Sequence, residues 1–505
     1  MVAELIGTAA DPTALFPSAG VAKGLGPDQR KELSIRALAG GEPVAQLAAR
    51  HRVSRKFVYR QARRAGQALD EAFTQADGDD RVLFQLPVTK AWLRQWVLAQ
   101  VLIGHTSYRG VGEIFDAAFG LPGPSVGTVH NILQESLPHA RAVNDATDLG
   151  GIGVGAHDEI YQAGRPVLVG ADVRSTYCYL LAEEDRADET AWGVHLLDLA
   201  AKGLDPTYTI ADGGRGLRAG QRAAWPDTPC HGDVFHAERE LGRLAFFLEH
   251  RAAGCVSARL NLQRKMERSK RRGQGNKFSK RLAIAGQAET GAVQLAADIR
   301  ILADWMSQDI LAKAGPSQAV RRELFDFVVA ELSRRQPLCP HRIGPVCQAL
   351  GKQRDDLLAF VGVQEDPFAV LAQRLDVPGY RVRQIADLEA LDRNSAAYWQ
   401  AEGQLRHQLK GRFAAVQREV RGVIDDTPRA SSIIENLNSR LRNYFFLRRD
   451  LGDGYLDLLR FFLNHRRFRR SDRPERVGKS PAELLTGQPH AHWLELLGFQ
   501  RFARN

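Results

Sequence analysis

The stretch VGAHDEIYQAGRPVLVGADVRSTYCYLLAE, residues 154–183, decides the fold. Helical spacing gives way here to strand-like runs. VGAHDEIY, a QAGR turn, PVLVGADV and TYCYLLAE predict three consecutive antiparallel strands. Downstream, ETAWGVHLLDLAAKG (189–203) predicts a helix, and PTYTIADGG a short strand ending at Asp212. A second helix, GLRAGQRAAW, then leads to PCHGDVFH and a long amphipathic helix from Ala237. Three strands followed by strand–helix alternation imply an α/β fold, a mixed sheet with helices on its faces.

Farther along, SSIIENLNSRLRNYFFLRRD (431–450) reads as a helix. Its apolar stripe is Ile434, Leu437, Leu441 and Tyr444, and Glu435, Asn438 and Arg442 fall on another face. Glu435 is the one glutamate of the stretch, set among asparagines and arginines. Its neighbours three and four positions on are Asn438 and Ser439, so neither Arg440 nor Arg442 has the favoured ion-pair spacing. The carboxylate needs a partner from elsewhere in the chain.

Asp158 lies in the first strand and Asp212 at the end of the fourth, 212 − 158 = 54 positions apart. Were these strands neighbours, the two carboxylates would share a site. Clustered carboxylates repel unless protonated or bridged by a cation, and hard oxygen donors suit Mg²⁺ or Mn²⁺. A pair of such ions supports phosphodiester chemistry by activating the attacking oxygen and stabilising the leaving one. Glu159 is expected on the sheet face opposite Asp158, and Asp172 is expected to be a neighbour rather than a ligand.

The chain has 505 residues, 44% hydrophobic and 25% charged, as expected of a globular chain of about three domains. No apolar run approaches the roughly 20 residues of a membrane helix, and MVAELIGTAADPTALF lacks the pattern of a secretory signal. Five scattered cysteines without a CxxC pair speak against a disulfide framework or structural zinc, and a reducing cytoplasm is expected. Lys and Arg number 69 against 59 Asp and Glu, a net +10. The excess is clustered. Residues 259–282 hold ten basic residues and one acid, and NHRRFRRSDRPER forms a second cluster at 464–476. Two such clusters point to phosphate contact. The first, with Lys270, Arg271, Arg272, Gly273 and Gly275, is expected to be a loop ordered by DNA.

Near the front, PVAQLAARHRVSRKFVYRQARR (43–64) has the layout of a DNA-reading helix-turn-helix. Val44, Leu47 and Ala48 face inward, His51-Arg52-Val53 turns, and Ser54 caps a second helix with Val58 and Ala62 inside. Arg55, Lys56, Tyr59, Arg60 and Arg63 would then face a groove. Two amphipathic helices over 91–120 and a third capped at Ser125 predict another helical unit, either a second DNA-contacting unit or a dimerisation or linker bundle.

Taken together, several motifs resemble those of bacterial insertion-sequence DDE transposases. They are Asp158-Glu159-Ile160-Tyr161 opening a three-strand meander, Ala211-Asp212-Gly213 after a strand, and Ser432-Ile433-Ile434-Glu435-Asn436-Leu437-Asn438 on a late helix. Asp233-Val234-Phe235-His236 is similar to the Cys/Asp-x-x-His element found after the second aspartate in several such families. The resemblance spans roughly 150–240 and 430–485. It implies an RNase H-like core, a mixed five-stranded sheet flanked by helices, in which Asp158, Asp212 and Glu435 are catalytic and hold two Mg²⁺ or Mn²⁺ ions. Asp233, His236, Asn438 and Arg442 would position substrate or ligands, and Arg440 would contact DNA. The activity implied is nicking of transposon ends followed by strand transfer to target DNA, without a covalent protein–DNA intermediate.

The 435 − 212 = 223 positions between the last two acids imply an inserted helical domain, punctuated by Pro316, Pro337, Pro340, Pro345 and Pro367. The expected order is a helix-turn-helix domain (1–75), a second helical unit (76–148), the first part of the core (149–240), the insertion (241–429), the last core helices (430–470) and a basic tail (471–505). The expected partner is double-stranded DNA, and because two ends must be joined the simplest assembly is a homodimer. Two other readings keep parts of this picture: a DNA-binding regulator with a retired core, and an RNase H-like nuclease without strand transfer.

Overall fold

The computed structural model describes residues 24–73, 86–274, 277–429, 432–448 and 451–501. The chain divides into two units, at Val88/Thr89. Residues 1–23 and 74–85 of the two expected N-terminal segments, Gly275 of the basic run, and 431, 449 and 450 of the late stretch lie outside the described residues.

In the first unit, α1 (Pro27–Ala39), α2 (Val44–Arg50) and α3 (Arg55–Phe73) enclose a small core of Leu33, Leu47, Val53, Phe57 and Val58. The turn between α2 and α3 passes through Arg52 at φ 51°, and the Ser54 hydroxyl accepts from Phe57 N at 3.2 Å, capping α3. Val58 is buried as expected. Phe57 supplies the neighbouring contact, and Ala62 is only half-buried. Arg55, Lys56, Tyr59, Arg60 and Arg63 are all exposed.

The second unit opens with α4 (Lys90–Leu102), α5 (Tyr108–Phe119) and α6 (Val126–Ala146), the last capped by Ser125. These helices share their core with the sheet: Val97, Leu98, Val129 and Leu133 join Ile160, Val169 and Ile210 in one apolar cluster. The sheet comprises β1 (Val154–Gln162), β2 (Arg165–Asp172), β3 (Cys178–Glu183), β4 (Tyr208–Ala211) and β5 (Cys230–Gly232). Its order is β3-β2-β1-β4-β5, antiparallel through β1–β3, with β4 and β5 added in parallel. Ala163 and Gly164, both at positive φ, make the tight β1–β2 turn. Asp172, at the end of β2, accepts from Ser175 N and hydroxyl and so shapes the β2–β3 turn.

Helices α7 (Glu189–Ala201) and α8 (Arg215–Ala224) cover one face of the sheet, with Trp192, Leu196 and Leu217 packed on Leu168, Tyr179 and Leu180. The other face carries α6 together with α16 (Ser432–Phe445) and α17 (Asp453–His465). The apolar stripe expected for 431–450 is the buried side of α16: Ile434, Leu437, Leu441 and Tyr444 are all buried.

Between β5 and α16 lies the helical insertion: α9 (Val234–Arg271), α10 (Ser279–Trp305), α11 (Gln318–Arg335), α12 (Pro340–Arg374), α13 (Gly379–Glu389), α14 (Ala396–Leu409) and α15 (Phe413–Asp426). It has two apolar cores, one around Leu244, Ile299, Phe325 and Val361, the other around Phe368, Ile385, Leu405 and Val420. Two expectations are corrected here. Most of the described part of the basic run 259–282 is helix rather than loop, because Arg, Lys, Gln, Met and Leu favour helix and α9 continues to Arg271. Gly273, at φ 75°, follows the end of that helix. Lys270, Arg271 and Arg272 thus sit exposed where the long α9–α10 hairpin turns. Nor do Pro345 and Pro367 break the chain into separate helices: α12 runs through both. An interior proline costs about 3 kcal/mol, but residues on both sides of Pro367 are anchored, Phe360 and Val361 in one core and Phe368 and Leu371 in the other.

The segment 471–501 is not a trailing tail. It forms α18 (Pro481–Thr486) and α19 (Trp493–Leu496), and Trp493, Leu494 and Leu497 are buried in the sheet core. Apolar side chains at these spacings outweigh the basic composition around them.

The free edge of β3 is closed by α17. The fully buried amide of Asn464 donates to Cys178 O and accepts from Cys178 N, both at 2.8 Å. Replacing Asn464 by Leu leaves two buried backbone groups unmet and is expected to lower stability by about 2–4 kcal/mol. Urea unfolding of the two proteins measures it; equal midpoints would show the edge is held by packing alone.

Candidate metal centre

The offset of 54 positions is the register of the sheet itself. Val154, Gly155 and Ala156 pair in parallel with Tyr208, Thr209 and Ile210. Extending that register sets Asp212, just beyond β4, level with Asp158 on the neighbouring strand, where strands lie about 4.8 Å apart. Alternation along β1 turns Asp158 to the α16 face and Glu159 to the α7 face, where it accepts from Trp192 Nε1 at 2.8 Å.

Asp158 is only 8% exposed, and the buried Asn438 of α16 donates from Nδ2 to its Oδ2 at 2.7 Å. One turn earlier on α16, Glu435 faces the start of α9. Arg239 NH1 donates to Glu435 Oε1 at 2.9 Å, and His236 Nε2 lies 3.7 Å from the same oxygen. The other ring nitrogen, Nδ1, bonds Asp233, whose second oxygen caps α9 by accepting from Phe235 N at 3.0 Å. Asp158, His236 and Glu435 thereby place ligand atoms within 4.8 Å of one another.

Asp212 does not belong to that group. Its Oδ1 accepts from Gly214 N at 2.8 Å in a tight turn, while Oδ2 has no hydrogen-bond partner among the described residues. Its charge still reaches Asp158, Glu159 and Tyr161. Arg218 fixes the loop by donating from Nε to Asp212 O at 3.0 Å and from NH1 to Asp356 of α12 at 2.6 Å.

Burial pushes the Asp158 carboxyl from 3.8 up to about 6; Asp212 and Glu435 push the same way, and the Glu159 N–H and His236 pull back. For His236, burial disfavours the imidazolium, but Asp233, by hydrogen bond and charge, and Asp158 outweigh it and raise the pKa. Burial also raises Glu159, against the Trp192 hydrogen bond.

Of the expected residues, Asp158, Glu435, His236, Asp233 and Asn438 come together, with Asp212 one strand over. Arg442 is exposed, and Arg440, half-buried, lines a cleft on another side of α16. Arg239 was not expected. Its signal is the spacing Asp233, His236, Arg239, three residues apart on one face of α9.

Fold and site define an α/β protein with a mixed five-stranded sheet and a largely buried carboxylate–imidazole cluster. No protein-family model matches the chain, and no curated protein does.

The donor set of two carboxylates and an imidazole, with a further carboxylate one strand away, fits a divalent cation. A carboxyl raised from 3.8 to about 6 makes its ionised form unfavourable by about 3 kcal/mol. That penalty is absent below the unfolded value and complete above the folded one. Asp158→Asn is therefore expected to be more stable than the parent by about 3 kcal/mol above about pH 7, with the gap closing as the pH falls below 6 toward 4. Denaturation across this range checks it; a gap independent of pH would assign the effect to packing.

Proposed function

We propose that the chain is a DNA transposase of the DDE type, with an RNase H-like core that cleaves and transfers DNA strands. The observation that carries this reading is the convergence of Asp158, His236 and Glu435 from β1, the start of α9 and α16. The sheet order, with three antiparallel strands followed by two parallel ones, fits such a core. So does Asp212 at the end of β4, in register with Asp158. The surrounding helical insertion fits the wide gap between the last two acids.

Asp158 and Glu435 would hold Mg²⁺ or Mn²⁺, with His236 beside them and the open oxygen of Asp212 across the neighbouring strand. Two such ions, when bound, would supply Lewis acidity at the phosphodiester and lower the pKa of an attacking water or 3′-hydroxyl. The protein's own groups have separate tasks. Asn438 fixes the rotamer of Asp158, Asp233 orients the His236 ring, and Arg239 holds Glu435 toward the cluster. In the first unit, the exposed Arg55, Lys56, Tyr59, Arg60 and Arg63 on α3 would bind the element's ends, with Lys270, Arg271 and Arg272 contacting DNA from the hairpin. Joining two ends calls for at least two protomers.

Incubation with DNA carrying the element's ends and Mg²⁺ or Mn²⁺ tests the site. Asp158→Ala and Glu435→Ala should bind these ends yet lose cleavage and joining by about 10³-fold or more. Full joining by either variant would remove that residue from the mechanism.

Arg60→Ala tests the reader. If Arg60 meets a phosphate, the slope of log affinity against log salt should fall by about 0.9. Unchanged affinity at several salt concentrations would remove α3 as the reading helix.

A further inference from the structure

A cleft of about 1760 Å³ opens at the end of the sheet where β1 and β4 begin. Gly153, Val154, Thr207 and Tyr208 line its floor, the insertion flanks it with Lys313 and Gly422, and the loop after α17 closes it. Seven arginines along it have no carboxylate partner among the described residues: Arg476, which donates to Arg174 O at 2.8 Å, and six others, Arg174, Arg440, Arg466, Arg469, Arg470 and Arg473. The acids that share the cleft are largely engaged. Glu238 pairs with Arg429, Glu419 with Arg374, and Asp172 bonds Ser175, while Asp425 and Asp426 stand by Lys313. The arginine loop carries two acids, Asp472 and Glu475, of which Asp472 lines the cleft.

We propose that this cleft holds the phosphodiester backbone of the DNA strand leading away from the carboxylate cluster, with the six arginines as its phosphate contacts. The proposal rests on the DNA-cleaving reading of that cluster and adds where the strand runs.

Three observations carry it. Helix α16 borders both places: Glu435 belongs to the cluster, while Asn436 and Arg440 line the cleft. Val154 is four residues before Asp158 on β1, about 13 Å. A strand with its reacting phosphate at Asp158 would enter the cleft within about four base steps of 3.4 Å.

The second observation is the half-buried Arg440 beside Arg466, where burial and like charge both disfavour the cation and no counterion is at hand. Guanidinium groups so placed match an incoming phosphate through their planar fork. A single phosphate would leave most of the six unmet; a backbone supplies one at every step.

The third is that the loop is already set. Phe468 N donates to Lys479 O and Gly478 N to Phe468 O, both at 2.8 Å, so Arg469, Arg470 and Arg473 project from a closed loop. Ordering of the loop is therefore not left to the binding step.

The test uses the full chain and a random-sequence duplex with a single-stranded extension. Replacing Arg469, Arg470 and Arg473 together by Ala should lower the salt slope of binding by about 2 to 3, one contact being worth about 0.9. Replacing the same three by Lys should restore most of it. Protection from chemical cleavage should disappear in the Ala variant within about four steps of the position nicked by the parent protein. Arg440→Ala, outside the loop, should lower the slope by about 0.9. An unchanged slope and footprint in the Ala variants would overturn the cleft assignment. Metal-dependent nicking, with its loss in Asp158→Ala, would still stand. A parent protein that neither binds nor nicks DNA would overturn both.

Discussion

The hydrogen bond from Asn438 to Asp158 joins residues 280 positions apart, and the rest of the site depends on it. Helix α16 is held to the sheet by Ile434, Leu437 and Leu441, contacts that are apolar and tolerant of small slides. A buried carboxamide on a buried carboxylate is not tolerant. Asn438 leaves its own Oδ1 buried without a partner, which costs about 1–3 kcal/mol. The direction of that penalty is informative, because an apolar residue at 438 would avoid it. The pair fixes the rotation of α16, and that rotation sends Glu435 toward Asp158 and Arg440 toward the arginine cleft.

The helical insertion supports the site from two sides. Its first helix, α9, starts at Asp233 and supplies His236 and Arg239 from one face to Asp158 and Glu435. Its long helix α12 meets the loop after β4 through Asp356 and Arg218, the arginine that also holds the Asp212 carbonyl. Inserting nearly two hundred residues between a strand and a helix of one site would scatter it unless both ends of the insertion were anchored there. Here both are, since Arg429, just before α16, donates to Glu238 of α9 at 2.9 Å.

The parts legible in the sequence were those with a local period. Strand alternation set Asp158 and Glu159 on opposite faces, and the 3.6-residue stripe of α16 separated Ile434 and Leu437 from Glu435. The offset of 54 positions became meaningful once β4 lay parallel to β1. What was not legible is tertiary. The partner of Glu435 is Arg239, 196 residues away; its spacing sets it on the His236 face of α9, but which acid that face meets is decided only by the tertiary fold. The expected loop at 259–282 overweighted Gly273 and Gly275 against a run of strong helix formers. Pro345 and Pro367 read as breaks because the burial on both sides of each is visible only in three dimensions.

The charge balance of the site explains why Asp212 stands apart from the cluster. Asp158 and Glu435 come within ligand distance of each other in a partly desolvated place, where like charges repel strongly. Two groups of the chain lie against them, the His236 imidazole, whose pKa Asp233 and Asp158 raise against burial, and Arg239, bonded to Glu435. A third carboxylate brought equally close would exceed what those two groups offset, and Asp212 instead spends one oxygen on the Gly214 N–H. Asp212 is thereby kept one strand away, in register with Asp158. A divalent cation carries the compensating charge in a single atom.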